Sequence, residues 1–146
     1  MTTAAERGEA LIRRWMESGD HSLLAEDIAW RVSPGYPVPR TEWRGRAEVE
    51  GAFFPALRCH FPQWRIAVDS FTPLADGRLL AIGAYDARDS AGRTGRIPFL
   101  HVWTLGDGTI VGVEAVADFA AFAPLHASGT AAPGTKGGDA VPGTRG

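Results

Sequence analysis

Cysteine is nearly absent: Cys59 is the only one in 146 residues. No intrachain disulfide can form, and cysteine usage leaves the redox compartment open. Lysine is as scarce. The single one, Lys136, lies in a Gly/Pro-rich C-terminal stretch, and all other basic charge is arginine. A Schiff-base lysine or a desolvated lysine base is therefore not expected in the folded part. The formal net charge is only −2, which gives no electrostatic basis for binding nucleic acid or an anionic membrane surface. No apolar run approaches the roughly 18 residues that span a bilayer. The N-terminal stretch MTTAAERGEALIRRW carries acidic residues and lacks the apolar core of a signal peptide. A cytoplasmic location is expected.

Three further absences narrow the chemistry. His21, His60, His101 and His126 show no ligand spacing, so no metal site is expected. GRTGR precedes a strand pattern and not a helix, so it is no phosphate-binding loop. Cys59 and His60 are neighbours on a helical pattern and point about 100° apart, which argues against a Cys-His nucleophile. No cofactor is expected.

What is present reads as an ordinary globular domain, with 45% hydrophobic and 22% charged residues. TTAAERGEALIRRWMESGD has Thr3 and Glu6 at capping-box spacing and an apolar stripe of Leu11, Ile12, Trp15 and Met16, with Gly19 as the stop. HSLLAED reads as a short second helix and IAWRV as a strand. SPGYPVPR, with three prolines, breaks regular structure, and TEWRG is briefly extended. RAEVEGAFFPALRCHF is a third helix, with Val49, Ala52, Phe53, Ala56 and Leu57 on one face. Pro55 should split or kink it and open a new helical piece.

Four long strands follow: QWRIAVDSFTPLA, RLLAIGAYDARD, GRIPFLHVWTL and TIVGVEAVADF. Asp76-Gly77 and Asp107-Gly108 mark hairpin turns. Helices followed by hairpin strands mean an α+β fold with helices on one face of an antiparallel sheet. Residues 1–126 form one domain on this reading. Residues 127–146 hold no large apolar side chain except Val141 and are expected to be a disordered tail.

The order of elements, with DIAWRV, EWRGRAEVEGAFF and HVWTLGDGTIVGVEAVAD, resembles the SnoaL-like branch of the nuclear transport factor 2-like superfamily over about residues 6–125. The resemblance implies a curved antiparallel sheet wrapped into a cone, with three N-terminal helices enclosing a pocket. Members include ketosteroid isomerase, limonene epoxide hydrolase, scytalone dehydratase and polyketide cyclases, and others only bind ligands or partners. A homodimer through the outer sheet face, where Glu114 points, is implied as well.

Carried over by position, the oxyanion-side aspartate of the steroid isomerases falls at His101. Their hydrogen-bonding tyrosine falls near Trp15, and their general base at Val32 or Ser33. The W-(R)-D-x-x-D ending of epoxide hydrolases and cyclases puts its catalytic aspartate at Ala115 and its second aspartate at Asp118. These departures argue against steroid isomerase and aspartate-dependent epoxide hydrolase activity.

His101 remains as the candidate acid-base group, because a histidine ordinarily titrates near neutral pH. Alternation puts it on one strand face with Phe99 and Trp103, members of that row being about 6.6 Å apart. The family register sets small residues of the next strand, Val113 and Ala115, beside it, with space for a ligand. The other reading is a core histidine satisfied by a backbone carbonyl or a cross-strand partner. Asp118 is a second candidate acid or a turn cap. Trp15, Trp30, Tyr36, Trp43, Phe53 and Tyr85 are candidate substrate-binding aromatics or hydrophobic seam. The expected partner is a small molecule. Two functions stay open: a cofactor-independent isomerase, cyclase or dehydratase acting on a flat apolar metabolite of bacterial secondary metabolism, or a non-catalytic ligand-binding or dimerisation module.

Overall fold

Thr3 opens the first helix. Its hydroxyl accepts from the Glu6 amide while the Glu6 carboxylate accepts from the Thr3 amide, which closes the capping box. This helix, α1 (Ala4–Ser18), stops at Gly19, whose φ of 67° is the left-handed cap. The computed structural model describes residues 1–122; the expected tail, 127–146, lies outside the described residues.

The expected second helix is a correction. HSLLAED forms a single 3-10 turn, His21–Leu23, and strand β1 begins at once, Leu24–Val32. Local helix propensity loses here to sheet pairing: β1 is hydrogen-bonded on both edges, to β2 (Glu42–Arg44) and to the last strand.

The helical stretch after β2 is interrupted at proline. Residues Arg46–Glu48 form α2, Val49–Phe53 a π-helical segment, and Phe54–His60 forms α3 with Pro55 in its first turn. Proline has no N–H, and its ring crowds the carbonyl four residues back, so the ladder loosens to the wider spacing just before it. Two helical arms therefore stand over the sheet, not three. They bury Ile12, Trp15, Val49, Phe53, Phe54 and Leu57. Each large apolar side chain so buried stabilises the fold by about 1.5–3 kcal/mol.

The remaining strands are β3 (Gln63–Pro73), β4 (Leu79–Arg88), β5 (Thr94–Leu105) and β6 (Ile110–Ala117). Both Asp-Gly turns are present, with Gly77 and Gly108 at φ 92° and 76°. The curved, unclosed six-stranded sheet has the order β2-β1-β6-β5-β4-β3. It is mixed and not purely antiparallel, because β1 and β6 run parallel. Turn signals report only strands that are consecutive in the chain, and β1 meets β6 across a long separation, 83 positions at Arg31 and Glu114.

Register sets the inner face. Trp30, Val113, Trp103 and Leu79 lie abreast on β1, β6, β5 and β4, and the next row holds Val32, Ala115, His101 and Ala81. The row after that has Phe99 opposite Gly83. A bulge in β3 between Val68 and Ser70 brings its backbone against Gly83. A Cβ on Gly83 would run into the Ala67 carbonyl oxygen, so β4 carries no side chain at that point.

Candidate active site

His101 sits on the inner face of β5 and is 3% exposed. The structure holds it on three sides. Phe99 stacks on it with ring centroids 3.9 Å apart, Trp103 meets it edge-on at 5.3 Å, and the Tyr85 hydroxyl lies 2.6 Å from its Nε2. Tyr85 stands on β4, two rows away. Gly83 and Ala81 leave its strand with little or no side chain in between, so the phenol leans across to the imidazole. The Tyr85 hydroxyl is in turn 2.7 Å from that of Tyr36, which comes from the proline-rich loop 33–40. Tyr36, Tyr85 and His101 thus form one buried hydrogen-bonded chain, and Nδ1 has no hydrogen-bond partner among the described residues.

Burial sets the charge state of that chain. Loss of water pushes His101 down to about 3, so the ring is neutral at physiological pH. This corrects the expectation of titration near neutrality. The same desolvation pushes Tyr36 and Tyr85 up, and each stays a phenol.

The three side chains wall one cavity with a volume of about 20 Å³, enough for roughly one water molecule. Trp15, Trp30, Phe53, Trp103, Val113 and Ala115, all anticipated, line it. Val32, Phe54, Leu57, Trp64 and Ile66 join them. Alternation of Trp64 and Ile66 along β3 was the available signal for two of these. Among the described residues no charged side chain is in the lining. The space expected beside Val113 and Ala115 is largely taken by the rings of α1 and of the 46–60 arm. Trp15 packs 5.6 Å from Trp103 and 5.8 Å from Trp30, and Phe53 lies 5.5 Å from Trp30. A flat ligand must therefore displace aromatic side chains.

The other candidates stand apart from the cavity. Asp118 is exposed and accepts from the Ala120 amide at 3.1 Å, capping the 3-10 turn Phe119–Ala121. Trp43 is buried against Phe53 and has the Arg40 guanidinium 4.1 Å above its ring, beside a surface groove. Phe99 touches the imidazole without reaching the cavity wall. Among the described residues no cluster of three or more His, Cys, Asp or Glu could hold a metal ion.

Val32, Ala115 and His101, where relatives were expected to keep functional groups, stand side by side across β1, β6 and β5. The family model of the SnoaL-like domain matches residues 7–113. The chain belongs to the SnoaL-like family. No curated protein matches it in sequence. An NTF2-like protein of unknown function from Burkholderia pseudomallei K96243 is 28% identical, with a TM-score of 0.63 over 80% of this chain and 88% of that one. TerC, crystallised with polyporic acid, is 22% identical with a TM-score of 0.70 over 84% and 98% of the two chains. IdmH of Streptomyces antibioticus, a candidate polyketide cyclase, is 20% identical with a TM-score of 0.67 over 81% and 96%. At these identities the last two show the shared fold. No helix among the described residues is long and apolar enough to cross a membrane.

Proposed function

We propose that this SnoaL-like domain is a cofactor-independent proton-transfer enzyme for a flat, mostly apolar metabolite, with isomerase, cyclase or dehydratase chemistry of the kind found in bacterial secondary metabolism. The observation that carries this reading is the chain Tyr36–Tyr85–His101, closed at every link and walled inside an aromatic cavity. A neutral, desolvated imidazole is a poor place to leave a net proton. It is a good conduit, because Nδ1 can take a proton while Nε2 gives one up. A proton leaving the bound molecule at Nδ1 is matched by Nε2–H passing to Tyr85, the Tyr85 proton passing to Tyr36, and the Tyr36 proton returning to a second site of that molecule. The atoms balance as a tautomerisation, with no charged intermediate on the protein. Candidate polyketide cyclases and a candidate isomerase of Bacillus subtilis among the structural neighbours support the class of chemistry.

A non-catalytic binding module is the second reading. Trp15, Val32 and Ala115 in place of functional groups, and the water-sized cavity, favour it. A thermal-shift screen of aromatic polyketides, terpenoids and steroids, followed by NMR of the hits in D₂O, separates the two. The enzyme reading expects deuterium to enter the bound compound, and expects His101→Asn to slow that entry about 10²–10⁴-fold. Binding without exchange supports the module.

The assembly proposed with this function is a homodimer through the outer sheet face. Ile82, Leu100 and Val116 lie abreast on β4, β5 and β6 and are 41%, 44% and 53% exposed. The ion-paired set Arg65, Asp86 and Arg96 and the pair Arg31–Glu114 flank them. An apolar centre with a charged rim is the anatomy of a protein interface.

A further inference from the structure

Among the described residues, every residue that walls the His101 cavity stands on a helix or a strand except Tyr36. Tyr36 is also the one buried residue of loop 33–40. The start of that loop is tied to β6, where the Ser33 amide donates to the Ala115 carbonyl at 2.8 Å. Pro34, Pro37 and Pro39 then leave three positions with no N–H to donate. The hold on the loop passes to the Tyr36 side chain. Its hydroxyl meets that of Tyr85 at 2.7 Å, and its ring meets Phe119 edge-on, centroids 4.8 Å apart. Phe119 opens the 3-10 turn Phe119–Ala121, and Asp118 builds that turn. The Asp118 amide donates to the Pro98 carbonyl at 3.0 Å, and its carboxylate accepts from the Ala120 amide at 3.1 Å. Phe122, 1% exposed, anchors the far end edge-on against Phe61 at 5.0 Å. So fixed, Phe119 also lies within 14° of parallel to Trp64 at 6.1 Å, and Trp64 packs 4.2 Å from Tyr85. One ring braces both phenols, Tyr36 directly and Tyr85 through Trp64.

Resting on the reading above that this cavity takes the ligand, we propose that loop 33–40 is its gate and Phe119 the latch of that gate. A cavity of about 20 Å³ holds roughly one water, so a larger molecule enters only when a wall moves. The walls on helices and strands are held by backbone ladders. Tyr36 is held by one hydroxyl pair and by ring contacts, of which Phe119 is the nearest. Swinging Tyr36 outward opens the space and breaks its link to Tyr85 in one movement. Passage of a ligand and a continuous Tyr36–Tyr85–His101 chain therefore exclude each other, and the site is assembled only when it is shut. Asp118 is a positioning residue in this device. It touches neither phenol and acts by holding the turn that aims Phe119 at Tyr36.

The chain has only two tyrosines, so hydroxyl-proton NMR of the full-length protein follows each link separately, with Tyr36→Phe assigning the pair. Exchange of the Tyr36 hydroxyl proton with water measures opening. Phe119→Leu and Asp118→Ala should each speed it about fivefold, as loss of a cap or of one aromatic contact gives, while the backbone amides of β4 and β5 keep their rates. Asp118→Asn, which caps equally well, should restore the wild-type rate. Asp118→Ala should add nothing in the Phe119→Leu background, because the latch is already gone. Unchanged Tyr36 exchange in Phe119→Leu, or an Asn variant as fast as the Ala variant, overturns the latch. Amides that speed up together with the hydroxyl would show a merely weakened fold and overturn it too. Access is read separately, with naphthalene as the probe and indole fluorescence in stopped flow. Phe119→Leu should raise its association and dissociation rates by similar factors and leave the affinity nearly unchanged, as a loosened gate does. Rates that do not rise overturn the gate. If naphthalene does not bind at all, the reading of the cavity as a ligand site falls and the gate with it, while hydroxyl exchange still decides whether Phe119 latches Tyr36.

Discussion

Phe99 lies flat on His101, centroids 3.9 Å apart and planes within 11° of parallel. The two are next-but-one neighbours on β5, so strand alternation alone puts them on one face. The stack covers one face of the imidazole with hydrocarbon, Trp103 covers its edge, and Tyr85 fixes Nε2. The ring is thereby dried and oriented by the same contacts.

Drying has a consequence for stability. The unfolded chain binds a proton on His101 near the usual 6.5, the folded chain only near 3. Between those values the unfolded state holds more protons, so stability rises with pH there and is flat above. Acidification from pH 6.5 should cost up to about 1.4 kcal/mol per pH unit. Urea unfolding at pH 6.5 and 4.5 should show a fall in wild type that is largely missing in His101→Asn. Equal falls in both would place the effect elsewhere.

Tyr85→Phe removes the middle of the hydrogen-bonded chain and strands the Tyr36 hydroxyl and His101 Nε2. The expected loss is about 1–3 kcal/mol. Tyr36→Phe should cost less in the Tyr85→Phe background than in wild type, because the partner is already gone. A double-mutant cycle by urea titration measures that coupling; zero coupling contradicts the contact.

Gly83→Ala should destabilise by at least about 1–3 kcal/mol, since the new methyl meets backbone that the β3 bulge has fixed in place. Thermal melts beside Gly51→Ala, where nothing stands within 4 Å, make the comparison. A mild effect at Gly83 would mean that β3 can shift.

Much of the frame was legible because it is written locally. Thr3 and Glu6 announce α1, Asp-Gly pairs announce two hairpins, and the alternation of Phe99, His101 and Trp103 announces a face. What was not legible is written at long range. The parallel pairing of β1 with β6 has no local signal, and it is what extends β1 back to Leu24 over a stretch with helical residues. The link from Tyr36 to Tyr85 spans 49 positions and depends on a loop. Even the charge state of His101 depends on burial completed across strands, with Tyr85 reaching its Nε2 from 16 positions away. Composition and pattern fix a histidine's face; only packing fixes its protonation.

The outer face makes its own prediction. Light scattering after gel filtration should give twice the chain mass for wild type and the single-chain mass for Leu100→Lys, which puts a charge at the centre of the apolar row. A monomeric wild type would contradict the proposed dimer and leave the inner site untouched.

The central claim is that His101 is a neutral conduit held by Tyr85, and nitrogen NMR of the ring tests it most directly. In ¹⁵N-labelled protein the two His101 nitrogens should show one protonated and one unprotonated signal that stay fixed from pH 5 to pH 8, and Tyr85→Phe should perturb Nε2 more than Nδ1. Signals that merge toward an imidazolium with a midpoint between 6 and 7 would show a charged, hydrated ring and contradict the account.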